Sequence, residues 1–228
     1  MLTLIISDLH IGSSFFRHDE FNQFLDHIPD KTILVMNGDT VDNPKLKLSH
    51  SHQKILDRLI TESDRLTLIW LEGNHDEGSL PKNPGKIQFK TSHTIGKSLV
   101  IFHGHDFDNV MPYHSWFIRC FKTFHKLRIK VGARPVHVAQ YAKNWDMLYR
   151  YLRKNVMMNA VEYCKERGFE AVTCGHVHYP EDITIDGIRY INTGSWTEDK
   201  TFYITVNKEQ IVFHENIDPR AILSKVKM

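Results

Sequence analysis

The sequence predicts an α/β fold. Five short apolar runs are typical of buried strands, amphipathic segments separate the first three of them, and a cluster of Asp, His, Asn and Gly residues follows each run. Strands that alternate with helices indicate βαβ units and a sheet rich in parallel strands, whereas the closely spaced strands near the C-terminus indicate antiparallel hairpins.

The five apolar runs are continuous and do not alternate with polar residues, as expected for strands that are covered on both faces. They lie at residues 2–7, 32–36, 66–71, 99–102 and 171–174. Amphipathic helices are predicted at residues 20–27 and 48–63. Four shorter strands follow, at residues 183–185, 188–191, 202–206 and 211–214. A chain of 228 residues with 41% hydrophobic and 25% charged residues fits one globular domain, 1–228.

The segment from residue 113 to residue 168 interrupts this pattern, because its sequence predicts helices and no strands. We therefore expect a helical cap inserted into the domain. Residues 113–154 contain ten Lys and Arg and one acid, Asp146, a charge of +9; the whole chain carries +2, so the remainder carries −7 by difference. Aromatic residues are interleaved with these cations, and packing on the core is the favoured interpretation for them.

The charge excess of the insertion favours an anionic partner, since ten cations with one acid otherwise repel one another. We expect a small-molecule or lipid-linked phosphate substrate and contact with an anionic membrane surface through the cap. Basic and aromatic residues together also suit single-stranded nucleic acid, but no nucleic-acid module accompanies them, so nucleic acid is not the expected partner.

The three cysteines form no CxxC pair, and no apolar run approaches the roughly 20 residues that a membrane span needs. These features predict a cytoplasmic protein without a disulfide framework or a zinc–thiolate site, peripheral to the inner face of a membrane if the cap binds lipid.

Each of the five predicted strands ends in a loop that contains metal-ligand residue types. Open α/β sheets build their sites beyond the carboxyl ends of their strands, so these loops are expected to meet. Each loop alone is a weak signal, and the joint occurrence of all five is a strong one. Carboxylate, imidazole and amide ligands without thiolate suit Mn, Fe, Zn, Co or Ni. The five motifs are Asp8-Leu9-His10, Gly38-Asp39, Gly73-Asn74-His75-Asp76, His103-Gly104-His105 and Gly175-His176-Val177-His178.

This ordered series resembles the calcineurin-like metallophosphoesterase superfamily. More narrowly, the GDTVDN, HGHDFD and YINTGSW segments and the helical insertion resemble the UDP-2,3-diacylglucosamine pyrophosphatase-like branch. Two positions differ from the lipid A enzymes of that branch, in which Arg replaces His75 and the fourth motif reads His-Gly-Asp. The resemblance implies a four-layer α/β/β/α sandwich with a helical cap.

The resemblance also implies a site with two divalent metal ions, with Mn as the first expectation. Asp8, His10 and His178 would hold one ion, Asn74, His103 and His176 would hold the other, and Asp39 would bridge them. Two cations about 3.5–4 Å apart need such a shared anionic ligand.

His75 has no ligand role in this scheme, so it is the candidate general acid toward the leaving group or a donor to the phosphoryl oxygens. Asp76 either orients the ring of His75 or caps the loop, and Asp42 either orients a ligand histidine or, as the favoured interpretation, serves a turn. Candidate substrate-binding residues are Asn74, His75, Arg119, Lys122, Arg150 and Arg153.

The predicted function is metal-dependent hydrolysis of a phosphoester or pyrophosphate bond, with a nucleotide-sugar lipid such as UDP-2,3-diacylglucosamine as the first specific substrate. A phosphodiesterase or phosphatase for small soluble esters or nucleotides is the second alternative, and a nuclease is the third. A non-catalytic metal-binding scaffold with the same fold is an alternative from a different class.

Overall fold

The computed structural model describes residues 1–43, 45, 47–76, 81–110, 115–208 and 210–216, without the side chains of residues 115–122. The helices are α1 (His18–Asp26), α2 (His50–Glu62), α3 (Ser115–Lys130), α4 (Val138–Ala142) and α5 (Asp146–Arg167). The strands are β1 (Thr3–Ile6), β2 (Ile33–Asn37), β3 (Thr67–Leu71), β4 (Gln88–Lys90), β5 (Ser92–Ile95), β6 (Leu99–Phe102), β7 (Ala171–Cys174), β8 (Glu181–Ile185), β9 (Ile188–Asn192), β10 (Phe202–Val206) and β11 (Ile211–Glu215).

These strands form two sheets. The first has the order β11-β10-β1-β2-β3-β4, and the second has the order β5-β6-β7-β9-β8. Strands β1, β2, β3 and β4 are parallel to one another, as are β6, β7 and β9, whereas β1 is antiparallel to β10 and β6 is antiparallel to β5. The pairs β8–β9 and β10–β11 are antiparallel hairpins. The predicted parallel start and antiparallel end are therefore confirmed.

The two sheets pack face to face, with a helix layer outside each. Along β1, Ile5 points into the core between the sheets, where it packs with residues such as Ile101 and Ile191, whereas Leu4 and Ile6 point to the outer face. Helices α1 and α2 cover that outer face. Helix α5 covers the outer face of the second sheet with Val156, Ala160 and Cys164 among others. The result is the predicted α/β/β/α sandwich.

Two strands were not predicted from the sequence. Strands β4 and β5 are three and four residues long and half-exposed or exposed, so they lack the apolar run by which the other strands are recognised. Strand β4 extends the first sheet beside β3, and β5 begins the second sheet beside β6. This short segment therefore carries the chain from one sheet to the other.

The helical segment between β6 and β7 has two parts. The second half of α5 belongs to the sandwich itself, because Val156, Met157, Ala160, Val161 and Cys164 are buried against the second sheet. The part of the insertion left for the expected cap comprises α3, α4 and the start of α5, and its role as a cap stays a prediction. No helix in the described part of the chain combines the length and the apolarity needed to cross a bilayer.

Candidate metal centre

The five predicted ligand loops follow β1, β2, β3, β6 and β7 and meet at one edge of the sandwich. Backbone hydrogen bonds join them directly. The amides of Asp8 and His10 donate to Gly38 and Asp39, and the Gly175 amide donates to His103. The Trp196 amide and the Ser195 hydroxyl both donate to the carbonyl of Asp8. The backbone that carries the ligands is therefore held by contacts between strands from both sheets.

Four of the predicted ligands form one compact group. Donor atoms of Asp8, His10, Asp39 and His178 all lie within 4.8 Å of one another, and all four residues are buried. His178 Nε2 is 3.0 Å from Asp8 Oδ1 and 3.1 Å from His10 Nε2. Metal–nitrogen bonds of about 2.0–2.1 Å place neighbouring donors of one coordination sphere at about this spacing. This first group matches the set predicted for one ion together with Asp39.

The remaining predicted ligands, Asn74, His103 and His176, lie beside Asp39 and are called the second group. His103 Nε2 is 3.3 Å from Asp39 Oδ1, and its ring centroid is 5.5 Å from that of His176. His176 Nδ1 is 2.9 Å from Asn74 Oδ1. Asp39 thus contributes one carboxylate oxygen near His10 of the first group and the other near His103 of the second.

Hydrogen bonds on the outer ring nitrogens orient three of the ligand histidines. His10 Nδ1 lies 3.1 Å from Asp42 Oδ1, His103 Nδ1 lies 2.9 Å from the Asn37 carbonyl, and His176 Nε2 lies 2.9 Å from Asp108 Oδ2. Each of these nitrogens donates its proton to an oxygen. The other nitrogen of each neutral ring then directs a lone pair into the group, as in carboxylate–histidine–metal arrangements.

The backbone of the ligand residues is strained. Five of the seven adopt the left-handed region of φ: Asp8 (54°), His10 (51°), Asp39 (49°), His176 (64°) and His178 (52°). Residues other than glycine are uncommon there, and each costs about 1–2 kcal/mol. Such strain persists where the surrounding structure fixes it, and it is concentrated at functional sites.

Glycines provide the space that the ligand side chains occupy. A Cβ on Gly175 would lie 2.2 Å from Asp8 Oδ2, and one on Gly73 would lie 2.3 Å from Asp39 Oδ1. Both distances are far below van der Waals contact. Glycine is required at these two positions because two ligand carboxylates pass directly over the backbone.

Opposite charges dominate the electrostatics of the group. Burial opposes ionisation of His103, but the Asp39 carboxylate outweighs it and raises the pKa of His103 to about 10. Burial likewise opposes ionisation of Asp39, and His103 and His10 hold the pKa of Asp39 well below its usual value. A proton on His103 therefore neutralises negative charge that a cation would otherwise neutralise.

These observations fit divalent metal ions. Donor atoms of two buried carboxylates and two imidazoles converge in the first group, and His103 Nε2 faces the Asp39 carboxylate at 3.3 Å in the second. Thiolates are absent from the group, in keeping with the borderline and hard ions predicted from the ligand types.

His75 and Asp76 have separate environments. His75 Nδ1 lies 2.7 Å from the Asp42 carbonyl oxygen, and its ring centroid is 5.0 Å from that of His10. Asp76 is buried, and its carboxylate accepts hydrogen bonds from the amides of Thr40 and Val41 and the indole of Trp70. These contacts correspond to the loop-capping role of Asp76, whereas the backbone of Asp42 orients His75.

Asp42 itself corrects the sequence analysis, in which a turn was the favoured role. Its carboxylate contacts His10 Nδ1 at 3.1 Å and lies 3.9 Å from His75 Nδ1. The residue therefore orients a ligand histidine through its side chain and His75 through its carbonyl. The sequence distance of 32 residues between His10 and Asp42 concealed this contact.

The cations of the insertion that were predicted to bind substrate differ in their exposure and in their ion-pair partners. The side chains of Arg119 and Lys122 lie outside the described residues. Arg150 is exposed and pairs with Asp146, and Arg153 pairs with Glu181 and lies over the ring of Tyr179. Lys143 likewise pairs with an acid outside the insertion, Glu198. Acids outside the insertion therefore neutralise part of its charge excess, at Arg153 and Lys143.

Sequence reasoning missed three residues around the group. Asp108 orients His176, as described above. The hydroxyl of Tyr149 in α5 donates to the carbonyl of Val177, between the ligands His176 and His178, at 2.5 Å. His137 brings its ring to within 5.3 Å of His10 and 5.6 Å of His178. Asp108 ends the HGHDFD segment but was not singled out within it, whereas no local motif marks Tyr149 or His137.

Comparisons with known proteins agree with this site. The family model described as calcineurin-like phosphoesterase matches residues 1–180. Among curated proteins, the DNA polymerase II small subunit of Thermoplasma acidophilum is 22% identical over an alignment 240 residues long, which covers 89% of this chain but only 46% of that relative. The chain thus spans less than half the length of this relative.

Solved structures with similar folds include Vacuolar Protein Sorting 29 from Cryptosporidium parvum and the phosphoesterase Yfce from E. coli. The first is 12% identical with a TM-score of 0.49, and the match covers 95% of this chain and 91% of that one. The second is 14% identical with a TM-score of 0.46 and coverage of 92% and 91%. The family match over residues 1–180 shows that this chain belongs to the calcineurin-like phosphoesterase family.

Proposed function

We propose that this protein hydrolyses a phosphoester or pyrophosphate bond with two divalent metal ions. The observation that carries the proposal is the position of Asp39, whose two carboxylate oxygens lie near histidines of different ligand groups, His10 and His103. Asp8, His10 and His178 would hold one ion, Asn74, His103 and His176 the other, and Asp39 both. When bound, the ions supply Lewis-acid activation of water and of the phosphoryl oxygens. Mn is the first choice, and Fe, Zn, Co and Ni suit the same ligands.

His75 would act as a general acid toward the leaving group. Its Nδ1 is held by the Asp42 carbonyl, and its amide donates to Asp39 Oδ1 at 2.8 Å, so the ring has a fixed position beside His10. Its side chain is 32% exposed, which leaves Nε2 available to a substrate. A protonated His75 can deliver this proton to the leaving oxygen as the bond to phosphorus breaks. Asp76 supports this role indirectly, because it holds the loop that carries His75.

The first experiment measures hydrolysis of bis-p-nitrophenyl phosphate with Mn, together with the metal content of the purified protein. We expect Asp39→Ala to abolish turnover with the fold retained, and His75→Ala to lower turnover at near-normal metal content. His50→Ala, at an exposed histidine at the start of α2, is the matched control and should behave as wild type. Full activity of Asp39→Ala would contradict the proposal, and two bound metals without wild-type turnover would favour the scaffold alternative.

A finer proposal concerns the substrate. The described part of the cap presents apolar side chains to solvent, including Phe124 (55% exposed) and Leu127 (57%) on α3 and Met147 (85%) on α5. The exposed cations Lys126 and Lys130 lie on α3 with them. This combination suits the acyl chains and negative charge of a lipid-linked phosphate, and it supports a substrate such as UDP-2,3-diacylglucosamine at the cytoplasmic face of a membrane.

This finer proposal competes with small soluble esters and nucleotides, which the same centre could hydrolyse. The test compares turnover of UDP-2,3-diacylglucosamine with turnover of soluble esters and measures binding to anionic phosphatidylglycerol vesicles at low and high salt. Leu127→Glu should weaken vesicle binding without affecting hydrolysis of soluble esters. Turnover of soluble esters alone, with no vesicle binding by wild type, would eliminate the lipid proposal and leave the hydrolase proposal intact.

A further inference from the structure

His137 connects the helical insertion to the metal centre. Its ring stacks on that of His178, with centroids 5.6 Å apart and planes at 20°, and its centroid is 5.3 Å from that of His10. Phe15, from the loop after β1, contacts another edge of the ring at a centroid distance of 6.1 Å. His137 is only partly buried. The ring therefore lies beside two predicted ligands of the first group and keeps part of its surface exposed.

The hydrogen bond of His137 defines which of its nitrogens can act on a substrate. The residue precedes α4, and its Nδ1 accepts the amide of Ala139 at 3.4 Å. A nitrogen that accepts an N–H is unprotonated, so a neutral ring in this position carries its proton on Nε2. His137 thus offers one donor, Nε2–H, and no free acceptor.

His75 and His137 flank the ring of His10 and have opposite tautomers. His75 is 5.0 Å from His10 and donates from Nδ1 to the Asp42 carbonyl, which leaves Nε2 as the atom that exchanges a proton. His137 has its acceptor occupied and its donor free. One imidazole is therefore suited to proton transfer, and the other is suited to binding an oxygen that keeps its negative charge throughout the reaction.

We propose that His137 is a substrate-binding residue that donates a hydrogen bond from Nε2 to a non-bridging phosphoryl oxygen of the substrate. The inference rests on the proposed function, since it assumes a phosphate group beside the first ligand group. It makes the insertion a direct part of the substrate site, separate from any lipid contact through α3. In this role His137 neither takes up nor releases a proton.

The alternative is that His137 only caps α4 and fills the space beside His178. Three substitutions separate the two roles. His137→Phe keeps a ring for stacking and removes the donor, His137→Gln replaces the Nε2–H with an amide N–H, and His137→Ala removes both. His93→Phe, at a partly buried histidine of β5 in the second sheet, is the matched control.

The experiment measures three quantities for each Mn-loaded variant: metal content, the dissociation constant of inorganic phosphate by calorimetry, and kcat and KM with bis-p-nitrophenyl phosphate. For His137→Phe we expect unchanged metal content and phosphate binding weakened about 10- to 100-fold, as for the loss of a hydrogen bond to a charged group. KM should rise with little change in kcat, because the contact is made in both the ground and the transition state. His137→Gln should recover part of the affinity.

Phosphate affinity and KM of His137→Phe equal to those of wild type would overturn the inference, even if the enzyme is active. Loss of metal by His137→Phe would also overturn it, because the residue would then act on the ligands and not on the substrate. If wild type binds phosphate in a Mn-dependent way but hydrolyses nothing, the proposed function fails while the binding comparison still tests His137. If wild type does not bind phosphate at all, the inference on His137 is rejected, whereas the proposed function is judged by turnover of bis-p-nitrophenyl phosphate.

Discussion

Gly175 offers a sharp test of the link between backbone packing and the metal centre. A Cβ at this position would lie 2.2 Å from Asp8 Oδ2, 2.7 Å from Ser7 Oγ and 2.8 Å from Ser7 Cβ. Carbon and its neighbours are usually in optimal contact at about 3.5–4.0 Å, so Gly175→Ala requires the Asp8 carboxylate to move by about 1 Å. Asp8 is completely buried, and its oxygens contact His178 Nε2 and the His176 amide. Movement of the carboxylate therefore disturbs the ligand group.

The change in stability caused by Gly175→Ala is the sum of two opposing effects. Overpacking of a buried site destabilises by about 1–3 kcal/mol, and a Gly→Ala change stabilises by about 0.4–1 kcal/mol through the unfolded chain. The net loss of stability, between about 0 and about 2.6 kcal/mol, corresponds to a Tm up to about 10 °C lower for a domain of this size. Displacement of Asp8 should lower metal affinity at least as much as loss of a supporting contact does, which is about 10- to 100-fold.

Gly168 is the matched control. It follows α5 with φ of 69°, and a Cβ there would meet no atom within 4 Å. Gly168→Ala introduces only left-handed strain of about 1–2 kcal/mol, so it should lower Tm by a similar amount without affecting metal binding. Differential scanning fluorimetry and calorimetric titration with Mn measure both quantities. Wild-type Mn affinity in Gly175→Ala, or an equal loss of affinity in Gly168→Ala, would refute the reasoning.

Three further predictions concern the contacts around the ligands. In metal-depleted protein, the raised pKa of His103 contributes up to about 5 kcal/mol to the free energy of unfolding. This contribution is fully present below about pH 6.5 and is lost as the pH rises toward about 10. Urea unfolding across this range should show the fall in stability with pH, and His103→Gln should reduce that pH dependence. Tyr149→Phe leaves the Val177 carbonyl without its donor and should lower Tm by about 2–10 °C in a melting experiment; an unchanged Tm would mean that water replaces the hydroxyl. Asp42→Asn should weaken Mn binding about 10- to 100-fold in calorimetry, because the charge that orients His10 is lost, and equal affinity would show that an amide oxygen suffices.

Much of the fold could be predicted because it depends on local patterns. Continuous apolar runs marked β1, β2, β3, β6 and β7, and each run ended within a residue or two of the strand in the structure. The short strands β4 and β5 could not be predicted, since their pairing with β3 and β6 depends on neighbours distant in sequence rather than on their own hydrophobicity. For the same reason the insertion could not be divided in advance into a cap and the part of α5 that packs on the second sheet.

The sequence by itself determined which residues are candidate ligands, because strand ends, glycines and ligand types occur together within each short motif. Only the tertiary structure decided how those ligands are oriented and what surrounds them. Asp42 on His10, Asp108 on His176, Tyr149 beneath Val177 and His137 against His178 are contacts between segments far apart in the chain. Such contacts leave no periodic or local signal, since they arise where loops from two sheets and an inserted helix pack together. The five motifs therefore identify the chemical groups of the centre, and the assembled fold determines their geometry.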